Sequence, residues 1–390
     1  MRIFIIAGEV SADEHGAYLA RVLKKERPEC ELYGIGGERM EEAGVRVTGN
    51  LISLNDFQFR YFPRLFSRSA LKGLIADYET FLRENRCDAV VMIGLAEDAH
   101  YFTLRVAGTA TSLGIPVVYY FSPHVWIWSG RKTRKISEYF DLVLTFFPRE
   151  ERAYRDAGAE TGYIGHPMLD EIGEGGDMIE ARSRSGARRA GLPGRVVYFP
   201  GSRPGEIKQH MPIVSALIAG MEAEGEYEHT VSALPGLRDA IDGYLAGLGP
   251  DRVRVVEGNV YDLIKGADFI FASSGTISLE IAILGTPFAI FYRLPRLTYI
   301  VGRCFIRFDY FGLPNLIMGR PVVPEFLQSK INVGELVRLA VRSMEDPEYR
   351  ESCRSNFDAL KKELGRPGAV RRAALRIIGL AETHAGEENG

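Results

Sequence analysis

At roughly 150 residues per domain, 390 residues predict two or three domains, and a composition 46% hydrophobic and 25% charged excludes a disordered or fibrous chain. A formal net charge of −3, from 48 basic and 51 acidic residues, gives no whole-molecule attraction for nucleic acid. The four cysteines (Cys30, Cys87, Cys304 and Cys353) lie far apart without a C-x-x-C pair, which argues against a zinc site or disulfide framework and for a reducing compartment.

The opening apolar run, residues 2–7, is too short for a secretory signal and reads as a β-strand stopped by Gly8. Residues 17–25 have helical periodicity, 31–35 form a second strand, 71–86 a helix, 89–93 a strand and 101–112 a helix. Strands at 117–121 and 142–146 complete this half. The longest stretch without Asp, Glu, Lys or Arg, 106–130, carries Gly114, Pro116, Pro123 and His124 and reads as loop, strand and loop, not as a membrane helix. Between 172 and 194 the composition turns to Gly, Ser and charge, with Arg182, Arg184, Arg188 and Arg189; this reads as a linker or surface helix. A second alternating series follows, with strands at 196–199, 229–232, 253–256, 269–272 and 287–291, then helical regions at 333–344 and 347–380 and a frayed tail from His384. Continuous apolar strands alternating with helices predict parallel sheets covered on both faces, which bind ligands beyond the carboxyl ends of their strands.

Several strand ends carry chemistry. Pro200, Gly201, Ser202 and Arg203 join a strand to a helix; small residues let phosphate approach the backbone, the helix offers N–H groups, and Arg203 either clamps a diphosphate or pairs with Glu206. Ser273, Ser274, Gly275 and Thr276 repeat the arrangement, with Glu280 one turn on, either facing ribose hydroxyls or solvated. Neither loop is a Walker A motif. In the first half, Gly8, Glu9, Ser11 and Asp13 follow the first strand, where the polar side chains bind sugar hydroxyls or cap a helix. Asp98 follows the strand at 89–93, where a carboxylate takes a proton from an attacking hydroxyl or caps the next helix; Glu97 and His100 are competing bases. Both tryptophans fall in the loop after residue 120, as a pocket lining or as core. Residues 57–68 (FQFRYFPRLFSR) alternate aromatics with arginines, as at an anionic membrane surface or in a core-facing segment with snorkelling arginines.

Taken together, AGEVSAD (7–13), GIGGERM (34–40), YFSPHVWIWSGRKTRKI (120–136), YIGHPMLD (163–170), FPGSRPGEI (199–207), SSGTISLE (273–280) and LPNLIMGRPVVPEFLQ (313–328) resemble the lipid-A-disaccharide synthases, in the family's order and over nearly the whole chain. The resemblance implies an α/β GT-B fold: two doubly wound Rossmann-like domains facing a cleft, an acceptor-side domain at 1–170 and a UDP-sugar domain at 171–345. Residues 346–390 then form a helical segment crossing back to the first domain. It implies inverting transfer from UDP-2,3-diacylglucosamine to the 6-hydroxyl of 2,3-diacylglucosamine 1-phosphate, giving a β-1,6 disaccharide and UDP without metal or cofactor. By family position Asp98 is the base, Arg203 and Asn315 are active-site residues, and Glu280 lies on the nucleotide side. The family works in the cytoplasm at the inner-membrane surface, takes no nucleic acid partner, and permits a homodimer. This chain departs from the family at Tyr101, His100 and Thr103, where the pattern has aspartate, proline and asparagine. Ala12 stands in place of a glycine, and near residues 54–66 the usual AVMG-x-x-EVL pattern is replaced by LNDFQFR. The donor half is intact and the acceptor half altered, so transfer to another acceptor is the nearest rival. A UDP-N-acetylglucosamine 2-epimerase-like isomerase and a UDP-binding protein without turnover follow.

Overall fold

Runs of Val, Ile, Leu and Phe buried on both faces can form only the interior strands of covered parallel sheets, and they do so twice. The structure, a computed structural model, describes residues 1–8, 10–50, 67–94, 100–121, 130–174, 193–248, 253–295 and 310–387. The chain divides into two units, one of Met1–Glu171 with Leu364–Gly390 and one of Ile172–Glu363.

The first unit holds a seven-stranded parallel sheet of β1 (Arg2–Ala7), β2 (Glu31–Ile35), β3 (Arg46–Gly49), β4 (Ala89–Ile93), β5 (Val117–Tyr120), β6 (Leu142–Thr145) and β7 (Thr161–Tyr163). Its spatial order is β3-β2-β1-β4-β5-β6-β7. The order reverses between β1 and β4, which pair in register from Ile3 with Ala89 to Ala7 with Ile93. Phe4, Ile6, Val90, Met92, Val117, Tyr119 and Val143 pack one core with Tyr78, Leu82, Val106, Ala110, Ile136 and Phe140 from the helices.

The second unit holds a six-stranded parallel sheet of β8 (Gly194–Phe199), β9 (Tyr227–Ala233), β10 (Val253–Glu257), β11 (Phe269–Ala272), β12 (Phe288–Tyr292) and β13 (Glu325–Leu327), ordered β10-β9-β8-β11-β12-β13. Here the reversal falls between β8 and β11, and the Ser273 N–H donates to the Phe199 carbonyl at 2.8 Å, closing the two strand ends together. Tyr198, Phe271, Phe291, Leu217, Ile218 and Leu336 are among its core residues.

The helical region expected at 347–380 is two helices, Pro347–Leu364 and Ala369–Glu387, and the second continues into the expected tail as far as Glu387. Gly365 and Gly368, both at φ +93, make the break, and Pro367 cannot donate to a continuing helix. The first helix stays with the second unit; the return to the first unit starts at Leu364. Ala369, Val370, Ala373, Ala374, Ile377, Ile378 and Ala381 are buried at helical spacing. The small residues in that stripe let the helix lie close against helix Val10–Glu26, where Arg371 grips Glu26 at 2.7 and 3.3 Å.

No helix among the described residues is long and apolar enough to cross a membrane. Cys30, Cys87 and Cys353 are buried free thiols, and burial raises the Cys30 and Cys87 pKa to about 11 and about 12.

Candidate active site

In doubly wound sheets the crevice opens where the strand order reverses, at the carboxyl ends of the two diverging strands. In the second unit those ends carry the two loops singled out in the sequence, 200–203 after β8 and 273–276 after β11. They are tied in two steps, by a polar network around Glu206 on the first loop and by a ring contact from Tyr292 to Phe311, whose carbonyl holds the second. The Ser202 N–H donates to Glu206 Oε2 at 2.9 Å, and the Tyr292 hydroxyl, at the end of β12, donates to Glu206 Oε1 at 3.2 Å. Burial, followed by the Glu206 charge, raises the Tyr292 pKa to about 12, so the hydroxyl keeps its proton and stays a donor. Gly201 has φ +123, and a Cβ there would lie 2.5 Å from Glu206 Oε2. The loop glycine is thus required by the carboxylate packed against it as well as by its backbone conformation.

Arg203 stands at the start of helix Pro204–Glu224, its side chain 71% exposed and 3.8 Å from Glu206. An exposed pair that loose contributes little, so the guanidinium is held near the loop but is free to take an anion. At the second loop, Ser274 Oγ donates to the Phe311 carbonyl at 3.0 Å, and Ser278 folds back on Gly275 at 2.7 Å. Gly275 and Thr276 are exposed at the start of helix Thr276–Leu284, and Glu280 is half-buried one turn further on. Two helix N-termini therefore border one crevice, and backbone N–H groups at such termini favour phosphate.

Asn315 is 1% exposed. Its Nδ2 donates to the Val323 carbonyl at 2.7 Å and to Glu325 Oε1 at 2.6 Å, and its Oδ1 accepts from the Val322 and Val323 N–H groups at 2.7 and 2.9 Å. An amide has no further capacity. Glu325 in turn accepts from the Phe311 and Gly312 N–H groups, both at 2.9 Å, and the Phe311 ring packs at a tilt against Tyr292. Asn315 thus orders the 311–325 segment against Ser274 and Tyr292 from within the protein.

His210 and Tyr292 were not singled out in the sequence. The Arg293 N–H donates to His210 Nε2 at 3.0 Å, so the proton sits on Nδ1, which donates to the Pro200 carbonyl at 2.6 Å. Burial lowers the imidazole pKa, and these two bonds, with Glu206, partly oppose it. The neutral ring fastens the turn after β8 to the end of β12. Its partners lie ten residues before it and 83 after, a separation no local motif displays.

In the first unit, Asp13 is buried and caps the turn of a second motif. Its Oδ1 accepts from the Gly37 and Met40 N–H groups at 2.7 and 3.3 Å, and its Oδ2 accepts from Arg39 at 3.1 Å. Gly16, Gly34 and Gly36 leave room for Met40, whose side chain would meet a Cβ at any of them within about 3.1 Å. AGEVSAD and GIGGERM are therefore one structural joint. Asp170, in YIGHPMLD, accepts from the Gly368 N–H and, at 2.8 Å, from the Val370 N–H, which caps helix Ala369–Glu387. Gly8 follows β1 directly. Glu9, Glu97 and Asp98 lie outside the described residues, as do both tryptophans, Cys304, the Arg182 to Arg189 cluster and residues 57–66; the side chains of Ser11, Arg68 and His100 are likewise not described. Among the described residues no three His, Cys, Asp or Glu side chains are grouped to hold a metal ion.

The sequence profile of the lipid-A-disaccharide synthetase family matches residues 3–374. The lipid-A-disaccharide synthase of Geobacter sulfurreducens is 34% identical over 387 residues, covering 97% of this chain and 96% of that protein; that of Syntrophus aciditrophicus is 31% identical, covering 97% of each. Among solved structures, a UDP-GlcNAc 2-epimerase from Neisseria meningitidis bound to UDP-GlcNAc aligns at TM-score 0.61 and 13% identity over 96% of this chain and 99% of its own. Acinetobacter baumannii MurG aligns at TM-score 0.58 and 14% identity over 97% and 99%. These likenesses establish the two-sheet GT-B fold. With a family profile spanning nearly the whole chain and relatives above 30% identity, the chain belongs to the lipid-A-disaccharide synthase family, glycosyltransferases of lipid A biosynthesis that use a UDP-sugar donor and a lipid acceptor.

Proposed function

We propose that the chain transfers the sugar of UDP-2,3-diacylglucosamine to the 6-hydroxyl of 2,3-diacylglucosamine 1-phosphate, with inversion. The observation that carries this reading is the joined pair of helix N-termini at the β8/β11 reversal, with Arg203 exposed beside them. As the bond from C1 to the diphosphate breaks, negative charge grows on UDP. Donors fixed there stabilise the transition state more than the ground state. In this reading Gly201, Ser202, Arg203, Ser274, Gly275 and Thr276 hold the diphosphate and Glu280 faces the ribose. Asn315 keeps that surface in place. The first unit takes the acceptor, with Gly8, Glu9 and Ser11 at its crevice and Asp13 holding the turn behind them, and Asp98, just past β4, takes the proton of the attacking hydroxyl. The reaction needs no metal in this reading. The chain works at the cytoplasmic face of the inner membrane, with the aromatic and basic segment at 57–68 on the lipid surface.

The test is purified protein with the UDP-diacyl donor and the monophosphate acceptor, product followed by mass spectrometry. A β-1,6 disaccharide with equimolar UDP is expected, and Asp98→Ala should lower turnover by about 10²–10⁴-fold. UDP release with a different sugar product would assign another acceptor. Epimerised nucleotide sugar without transfer would replace the reading with an isomerase.

A further inference from the structure

Helix Val10–Glu26 leaves the carboxyl end of β1 and runs back across β1 and β4, so its first turns border the crevice of the first unit. His15 lies there, held on two sides. Its Nδ1 is 2.6 Å from Glu171 Oε1, and its ring stacks on Phe121 at 3.8 Å between centroids and 23° between planes. Phe121, just past β5, is at φ +61 and lies against Gly94, just past β4, where a Cβ would stand 3.6 Å from that of Phe121. The imidazole is therefore fixed by groups following β1, β5 and β7, beside the end of β4.

A carboxylate only accepts, so Nδ1 carries a proton, and in the tautomer with that single proton Nε2 is the acceptor. No partner for Nε2 is found among the described residues, and the side chain keeps 12% of its exposure. The pair thus presents one oriented acceptor at the crevice mouth. A phosphate there would face the Glu171 charge, with Asp170 adjacent in sequence, and like charges at such range repel. A neutral hydroxyl meets no such cost.

We infer that His15 Nε2 binds a hydroxyl of the acceptor sugar, with Glu171 as its positioning residue. This rests on the acceptor reading above. In a 2,3-diacylated 1-phosphate the free hydroxyls are at positions 4 and 6; the 6-hydroxyl attacks, so His15 binds the 4-hydroxyl.

The test measures acceptor binding by calorimetry in detergent micelles, alongside disaccharide formation, for wild type and variants of the full chain. His15→Leu should weaken acceptor binding and raise acceptor KM about 5–10-fold, as for one lost hydrogen bond, while donor KM and kcat at saturating acceptor change by less than about threefold. Glu171→Leu should lose a similar factor, and Glu171→Gln, which still accepts from Nδ1, should restore most of it. A 4-deoxy acceptor should lose the same factor on wild type and nothing further on His15→Leu. Equal acceptor affinity in wild type and His15→Leu overturns the inference, and a lowered melting temperature at unchanged affinity would leave the pair a structural tie only. If wild type binds the acceptor but forms no disaccharide, the reaction reading fails while the binding comparison still decides the subsite.

Discussion

Both amide hydrogens and both carbonyl lone pairs of Asn315 are used inside the second unit, so whatever it does for the reaction it does through its neighbours. Asn315→Ala would leave the Val322 and Val323 N–H groups and the Val323 carbonyl buried without that partner. Orphaned buried groups cost roughly 1–3 kcal/mol each before relaxation, so a net loss of about 2–4 kcal/mol in urea unfolding is expected, with donor KM raised more than kcat is lowered. An alanine variant of full stability that has lost turnover would instead put the amide in contact with substrate. Glu206 follows the same logic. Its carboxylate satisfies Ser202 and Tyr292 and fills the space that Gly201 leaves open, and this is what turns the loop and leaves Arg203 outward. Such partners are not written in a motif. FPGSRPGEI displays a glycine, an arginine and a glutamate, and only the fold shows that the glutamate needs the glycine.

At the scale of elements, legibility followed the length of the apolar run: even the part-buried edge strand β10 could be read at 253–256. The strands β1, β4, β8 and β11 stand out as apolar runs because both faces are covered. By contrast β3, β7 and β13 are edge strands of three or four residues, only partly buried, and no period can be read in so short a run. Polar residues at strand ends were visible as types, but whether each faced a ligand or a backbone was not. Asp170 shows the consequence: its carboxylate bonds to residues 198 and 200 positions away. It starts the helix that returns to the first unit, and Arg372 adds two bonds to the Ile164 carbonyl at 2.9 and 2.7 Å. Replacing an N-cap typically costs about 1–2 kcal/mol. Asp170→Ala should therefore open Ala369–Glu387 below the global unfolding free energy, seen as hydrogen exchange in that helix ahead of β1 and β4. Simultaneous exchange of all three would mean that the helix does not depend on its cap.

For the whole molecule, two separate cores mean two stabilities, and acid should tell them apart. The second unit buries His210 and His229 as neutral rings. His229 accepts or donates one bond with the Tyr198 hydroxyl at 3.0 Å, its Nε2 has no partner among the described residues, and burial lowers its pKa to about 4. A histidine with a folded pKa below its unfolded value near 6.5 takes up its proton more readily when unfolded. Its contribution is therefore complete above about pH 6.5 and is lost progressively as pH falls toward 4. For His229 the loss at pH 5 is about 2 kcal/mol, and His210 acts in the same direction. The carboxylates held low by ion pairs and hydrogen bonds, Glu26, Glu31 and Asp346, begin to lose their contribution only near and below pH 4.5, so they leave the window from 6.5 to 5 to the histidines. Between pH 7 and 5, hydrogen exchange corrected for intrinsic rate should therefore rise in β8, β9 and β11 while β1 and β4 hold their protection. Replacing the pair by His229→Leu with Tyr198→Phe removes both polar partners together and should flatten most of that pH dependence, whatever it does to absolute stability. An unchanged slope in the double variant would place the acid sensitivity elsewhere. Protection lost equally from both sheets would mean that the two units unfold as one.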